Sequence, residues 1–564
     1  MTSAVGHFRV TIATLITAAL VFGACQGQAP TSTASLTPAG DGQPDPNGEL
    51  ITNLGSEPDT IDPHKASFVG EIAVVMSVFE GLMTLDPKTL KPVPAAAAKE
   101  PDLTNGGKTW KFTLRDGLKF SDGSPLTAKD FERGFLRTCD PRTAGDYSFV
   151  LYIVVGCEKW NVMDVRKASA AELDAAKKAV GIKATSDKEI QFDLVEPAAY
   201  FGSIAYMWVG MPIKQESLDK GGERWTEPAT YVGNGPFKLT SWKHNENMTF
   251  ERNDNYWRGA PKLKKWTRVM LNEGAVAFAA YRNNELDVLG VAAEDLRTIE
   301  SESDLKGHVQ DVPGSCTYYI GFNAKRPPMD DPNVRLAFAR SFDRDGYIKD
   351  IQKIGAPANA GFIPPGIPGY DKDDGAQKFD AAAAKAALAK SKYAGSAELR
   401  NVKFTYASNS RTKTRVEWLQ QQWKANIGVD IVPDPVDSTA YTQLVKKQET
   451  TPLMFILGWC ADFPDQQNWL TTVFHSNGIA KTGWKSDKYD TLVRQADQEP
   501  DKTKRDAMYQ EASRMLSTEA PAAWLYYVTG KIMIKPWVKG VTTTALDSIL
   551  SQFRMWEVFV TRKS

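Results

Sequence analysis

Lys481-Thr482-Gly483 and Ser217-Leu218-Asp219-Lys220 are the parts of the chain that could build an acyl-transfer site, with a serine nucleophile and a lysine base three residues on. The Ser-Asp-Asn element that completes such a site is absent between them, so both runs read as turns. Gly106-Gly107-Lys108-Thr109 matches the end of a phosphate-binding loop. Its first glycine would have to stand at Asp102, and the following Trp110–Arg115 reads as strand rather than the helix whose N-terminus must face a phosphate. Histidine is scarce (His7, His64, His244, His308, His475), and neither HExxH nor G-x-S-x-G occurs. No obvious nucleophile is paired with a nearby base, and the chain is not expected to be an enzyme.

Beyond Cys25 the cysteines are Cys139, Cys157, Cys316 and Cys460. No CxxC and no zinc-like Cys/His spacing is present, so an even set favours disulfides over a metal, and no metal or cofactor is expected. Three pairings are open. Cys139 with Cys157 is the local one, and Cys316 with Cys460 would then be the long-range partner pair. Lys+Arg and Asp+Glu both number 68, so there is no basic excess with which to meet nucleic acid phosphates.

The elements that must position these residues alternate along the chain. Thr109–Arg115 places Trp110, Phe112 and Leu114 on one face at period two, and Lys188–Leu194 does the same with Ile190, Phe192 and Leu194. Met248–Arg252 and Trp266–Leu271 also read as strands. Thr127-Ala128-Lys129-Asp130 opens a helix through Phe131 and Phe135. Arg411–Asn426 is an amphipathic helix stopped by Gly428, with a strand resuming at Val429–Val432, and Lys504–Thr518 is a further helix. A chain of 564 residues with mixed elements and no internal repeat predicts a multi-lobed α/β body.

The first residues read as a targeting segment. Arg9 precedes an apolar run, Val10–Phe22, shorter than the roughly 20 residues a spanning helix needs. Residues 1–24 are therefore read as a signal peptide. Phe22-Gly23-Ala24-Cys25 resembles a bacterial lipobox, with Phe22 where Leu is usual, and this makes Cys25 the lipidated mature N-terminus. Residues 25–48 follow as a Pro/Gly/Ser/Thr-rich tether without aromatic residues.

Several runs, in order, resemble the extracellular solute-binding proteins of family 5, the oligopeptide- and dipeptide-binding lipoproteins of ABC importers. They include Glu57-Pro58-Asp59-Thr60-Ile61-Asp62-Pro63-His64, Phe79-Glu80-Gly81-Leu82 and Leu114-Arg115-Asp116-Gly117-Leu118-Lys119-Phe120-Ser121-Asp122-Gly123. Gly233-Asn234-Gly235-Pro236-Phe237, Asn253-Asp254-Asn255-Tyr256-Trp257-Arg258-Gly259, Asn333-Val334-Arg335-Leu336-Ala337-Phe338 and Gly458-Trp459-Cys460-Ala461-Asp462-Phe463 continue the series. The likeness is nearest to oligopeptide-binding members.

That resemblance implies a periplasmic-binding-protein-like fold of type II, with two hinged α/β lobes and an inserted α/β domain. Lobe I would comprise 49–79, 210–314 and 528–564, the inserted domain 80–209 and lobe III 315–527. It pairs Cys316 with Cys460, which leaves Cys139 with Cys157. It makes Asp462 the ligand of a peptide α-amine, sets the backbones of Val69 and Gly458 against the peptide, and lines the cleft with Trp459, Tyr147, Tyr319 and Tyr527. Close relatives that bind short peptides carry an arginine three positions before the tryptophan, where this chain has Ile456. The implied partners are a peptide, ABC permease subunits and, through the lipid, the outer face of the bacterial cell membrane. The protein is expected to be a monomer. The rival readings are another solute (an oligosaccharide, a metal chelate, a peptide-like antibiotic) or a secreted acyl hydrolase.

Overall fold

A computed structural model describes residues 42–408, 410–547 and 550–561. The signal segment 1–24, Cys25 and the tether as far as residue 41 lie outside them. Among the described residues no helix is long and apolar enough to cross a membrane.

Three sheets organise the body. A seven-stranded sheet has the order Val309–Val312, Gly530–Ile534, Val288–Gly290, Glu49–Asn53, Lys265–Val269, Asn247–Arg252, Phe237–Lys243. A six-stranded sheet has the order Ala356–Pro357, Ala522–Tyr527, Cys316–Phe322, Met454–Cys460, Lys403–Ala407, Val432–Val436. A four-stranded sheet joins Asp102–Thr104, Thr109–Thr113, Glu189–Asp193 and Ile182–Ala184.

The smallest of these shows how the sequence dictates the packing. Trp110 and Phe112 alternate with less buried neighbours and pair in register with Phe192 and Ile190. That apolar face is covered by the helix Ala128–Cys139. Thr127 and Asp130 close the helix start as a capping box, the Thr127 N–H donating to Asp130 Oδ2 at 2.9 Å. Phe135 on its inner face meets Phe192 edge-on, ring centres 4.8 Å apart. The helix ends at Cys139, which is bonded to Cys157.

In the six-stranded sheet, every residue of Ala522–Tyr527 is buried. Alternate side chains serve two different cores: Trp524 faces Phe362 and Phe474, while Ala523 and Leu525 join Phe322, Phe338 and Trp423. A strand covered on both faces has no polar side and therefore no alternating pattern.

Three expectations are corrected. The strand placed at Val429–Val432 is Val432–Val436, because Gly428 turns the chain at φ +73° and Val429 and Ile431 are then drawn into the core before pairing begins at Lys403 with Val432. The strand at Trp266–Leu271 ends at Val269, where the Asn53 side chain takes over and accepts the Leu271 N–H at 3.0 Å. Ser217–Lys220 is no turn but part of the helix Gln215–Gly221.

The chain passes between the two large sheets twice, from Val312 to Cys316 and from Tyr527 to Gly530. The two crossings touch: the Val528 N–H donates to the Cys316 carbonyl at 2.9 Å. A Cβ at Gly314 would lie 2.0 Å from the Val528 oxygen, so only glycine lets the crossings run this close. The second disulfide, Cys316–Cys460, pins the neighbouring strands just beyond that point.

Candidate functional site

Met454–Cys460 is fully paired on one side, Met454 to Phe322 through Cys460 to Cys316. On its other side Lys403–Ala407 covers only Met454 and Phe455. Among the described residues no strand pairs with the edge from Ile456 to Cys460. The Ala461 N–H bonds the Ser315 carbonyl, so residues of the same parity, Leu457 and Trp459, point their backbone groups into the sheet. Ile456, Gly458 and Cys460 point theirs outward. Ile456 is capped there by the Tyr441 hydroxyl, which donates to its carbonyl at 2.6 Å and accepts its N–H at 2.9 Å. Gly458 is exposed, and its missing side chain leaves room over the Tyr318 ring, 3.3 Å from where a Cβ would be.

Past this edge the chain enters a loop that holds Asp462. The Tyr147 hydroxyl donates to Oδ1 at 3.1 Å, and Asn468 Nδ2 donates to Oδ2 at 3.1 Å. The Asp462 N–H is taken by Asn468 Oδ1 at 2.9 Å, and its carbonyl accepts from the Tyr206 hydroxyl at 3.0 Å. All the donors to the carboxylate are neutral, and no Lys, Arg or His among the described residues pairs with it. Burial pushes its pKa up to about 6, against the pull of the Asn468 and Tyr147 bonds. By contrast Asp62, also buried, is held by Arg137 through two bonds of 2.6 Å and stays below the usual carboxylate range. A half-buried carboxylate without a counter-ion, next to an open strand edge, is equipped to take a cation on an extended chain.

The other expected residues are distributed unevenly. Tyr147 is half-buried, meets Trp208 edge-on with ring centres 5.0 Å apart, and reaches Asp462 from the four-stranded region. Trp459 is half-buried, and its indole N–H has no partner among the described residues. Val69 is 67% exposed, but it is the first residue of the helix Val69–Val78 rather than part of an extended edge. Its N–H alone is left free of the helix ladder. Tyr319 and Tyr527 are corrected from cleft to core: each is 2% exposed. Tyr319 is walled by Phe362, Phe474 and Trp524, while the Tyr527 hydroxyl donates to the Ala360 and Gly361 carbonyls at 2.7 and 2.9 Å.

Sequence reasoning missed Tyr206, Asn468 and Tyr441. Asn468 sits in the short helix Gln466–Trp469, capped by Asp465, whose bidentate pair with Arg505 fixes the loop. Nothing in the spacing of these residues marks them: Tyr206 comes from 256 positions away, and the six-residue gap from Asn468 to Asp462 is bridged only through a loop that the sequence does not announce. Lys481 Nζ donates to the Gly478 carbonyl at 2.8 Å, and the buried Ser217 hydroxyl has no partner among the described residues. Among the described residues no group of His, Cys, Asp and Glu could hold a metal ion.

Two α/β bodies joined by a pair of touching crossings, with an additional sheet beside them and an unpaired carboxylate at an open edge, define a periplasmic-binding-protein-like fold. Residues 91–481 match the model for the middle region of bacterial extracellular solute-binding proteins, family 5, and the chain belongs to that family. It is 32% identical over 520 residues to the oligopeptide-binding protein OppA of Bacillus subtilis, covering 89% of this chain and 92% of that one. It is 30% identical over 499 residues to the probable deoxycholate-binding periplasmic protein YgiS of Escherichia coli, covering 86% and 89%. Among solved structures it superposes on the murein tripeptide-binding protein MppA in its unliganded open form with a TM-score of 0.78 at 24% identity, covering 92% of this chain and 98% of that one. For Haemophilus influenzae OppA in complex with RPPGFSPFR the TM-score is 0.68, again at 24% identity, covering 92% of this chain and all, 100%, of the other.

Proposed function

We propose that the protein captures extracellular oligopeptides between its lobes and delivers them to the permease of an ABC importer, without catalysing any reaction. The observation that carries this is Asp462, a carboxylate desolvated among neutral donors beside the open edge at Gly458. A transporter that accepts many sequences must bind what all peptides share, an α-ammonium and a repeating backbone. Asp462 suits the first and the Gly458–Cys460 edge the second, with Trp459 and Tyr147 beside the chain. Lobe I would be 49–79, 210–314 and 528–564, the inserted domain 80–209 and lobe III 315–527, closing about the crossings at Gly314 and Val528. The likeness to the oligopeptide-binding protein of Bacillus subtilis supports the same solute class.

Native mass spectrometry of protein purified without denaturation tests this. Expected are bound masses that fragment into ladders of amino-acid residues. A single non-peptidic mass, such as the bile acid named for the Escherichia coli relative, would overturn it.

We further propose that Cys25 carries the lipid that holds this body, as a monomer, at the outer face of the cell membrane. Its support is the apolar run ending at Gly23-Ala24-Cys25 and the polar tether after it. Cys25→Ala should release the protein from membranes into the soluble fraction, and unchanged retention would refute the anchor.

A further inference from the structure

Four arginines among the described residues are almost fully buried, and three of them are completely provided for. Arg344 donates to the carbonyls of Trp524, Gln377 and Ala339, Arg335 to those of Glu519, Ala520 and Met329, and Arg505 to Asp465 and the Ala496 carbonyl. The fourth, Arg268, is 5% exposed and has no hydrogen-bond partner among the described residues; its Nε and Nη1 are buried outright. A buried guanidinium without an anion destabilises the fold, and burial draws its pKa down to about 9 with no anion to hold it up.

Arg268 lines a cavity of about 470 Å³ with Asn53, Asn272, Trp266, Gly290 and Val312. The cavity's place is informative. Glu49–Asn53 runs parallel to Lys265–Val269 and to Val288–Gly290, and Val309–Val312 lies antiparallel to Gly530–Ile534, which is itself antiparallel to Val288–Gly290. Four strands thus point their carboxyl ends the same way, and Val312 leads from that end directly into the crossing at Gly314. The cavity opens at the carboxyl ends of parallel strands, where ligands of open α/β sheets bind, on the edge from which the chain leaves for the second sheet. Two carboxylates also line it. Asp547 is engaged by the Thr544 N–H and hydroxyl, and neither it nor Asp295 pairs with Arg268.

We propose that this cavity is an anion subsite in which Arg268 grips a carboxylate of the bound solute. The inference rests on the peptide reading above only for the identity of the solute; the anion site itself does not. A planar fork with free N–H groups in a desolvated cavity matches a carboxylate bidentately. It also places the two charges of a peptide on different bodies: the ammonium at Asp462 on the six-stranded sheet, the carboxylate at Arg268 on the seven-stranded sheet. A ligand carrying both would reward closure of one lobe on the other.

The test has two arms on the full chain, wild type against Arg268→Met. Met removes an unpaired buried charge, so the ligand-free variant should melt no lower than wild type. In the first arm, melting is compared in sodium succinate and in sodium chloride at equal ionic strength. Succinate should raise the wild-type midpoint and leave Arg268→Met unmoved. In the second, calorimetry compares pentaalanine with its C-terminal amide, and an amidated peptide containing one internal Glu with its Gln counterpart. Wild type should prefer a carboxylate by at least tenfold in one of these pairs, which tells C-terminal from side-chain recognition, and Arg268→Met should erase the preference. Succinate stabilisation and carboxylate preference that are the same in both proteins would overturn the proposal. A succinate effect that depends on Arg268 with no binding of any peptide would uphold the anion site and refute the peptide reading.

Discussion

Asp462→Asn should weaken binding of an unblocked peptide by at least tenfold at pH 7. In the wild type the carboxylate is desolvated and, among the described residues, held by the neutral donors Tyr147 and Asn468, so an arriving α-ammonium supplies a counter-charge that these do not. Asn keeps the shape and loses the charge, which leaves the ammonium buried without a partner, a change worth several kcal/mol where it has been measured. A factor of ten corresponds to about 1.4 kcal/mol. Acetylating the peptide N-terminus should produce a similar loss in the wild type, and the two losses should not add, because both delete one contact. Calorimetric titration of the four combinations measures this. Equal binding of free and acetylated peptide by the wild type would show that the amine is not read. A loss on acetylation that is untouched by Asp462→Asn would move the contact to another carboxylate.

The same residue sets a pH dependence. In the ligand-free protein the Asp462 carboxyl titrates near 6, and an ammonium beside it would lower that value. Binding therefore releases a proton below pH 6, and affinity should fall by about tenfold per pH unit there, with a plateau above. A second decline is expected near pH 8 as the peptide amine itself deprotonates. Asp462→Asn should flatten the acid limb.

Stability runs the other way. Because the folded carboxyl has a pKa raised from 3.8 to about 6, its contribution favours the ligand-free fold at low pH and is lost as pH rises through 6, by an amount on the order of 3 kcal/mol. Asn at this position should accordingly make the ligand-free protein more stable at neutral pH while it binds less well.

Arg505→Met should be the most damaging single change near the site. Arg505 forms two bonds to Asp465, at 2.9 and 2.5 Å, with both side chains about nine-tenths buried. Removing the cation strands the Asp465 carboxylate, a loss of about 3–5 kcal/mol for buried pairs. It also removes the positive charge beside Asp497, whose carboxyl burial has already pushed up to about 7. Asp465 caps the helix that carries Asn468, so the loop holding Asp462 should loosen as well. Chemical denaturation followed by tryptophan fluorescence reads the stability, and peptide titration reads the loop. Adding Asp465→Asn should restore much of the stability, since Asn still caps the helix and leaves no charge unpaired. A double variant as unstable as the single one would show that the pair is not what holds this region.

The sequence by itself determined the local elements and the electrostatic stage. Period-two patterning of Trp110, Phe112, Ile190 and Phe192 selected a strand pair whose faces could only meet one way. Thr127 with Asp130 fixed a helix start, because a capping box is a contact between residues three apart. The run Gly458-Trp459-Cys460-Ala461-Asp462, read through the family resemblance, pointed to the site. Only the tertiary structure decided what that run does. Tyr319 and Tyr527 have the same composition as cleft aromatics, yet the sheet buries them, and no local pattern separates a buried tyrosine from an exposed one when a strand is covered on both faces. Tyr206 and Asn468 reach Asp462 across large gaps in sequence or by way of a loop held by Arg505. Arg268 looked like one more strand residue. That it lacks a partner is a property of everything packed around it, since desolvation is set by the whole enclosure and not by the neighbours along the chain.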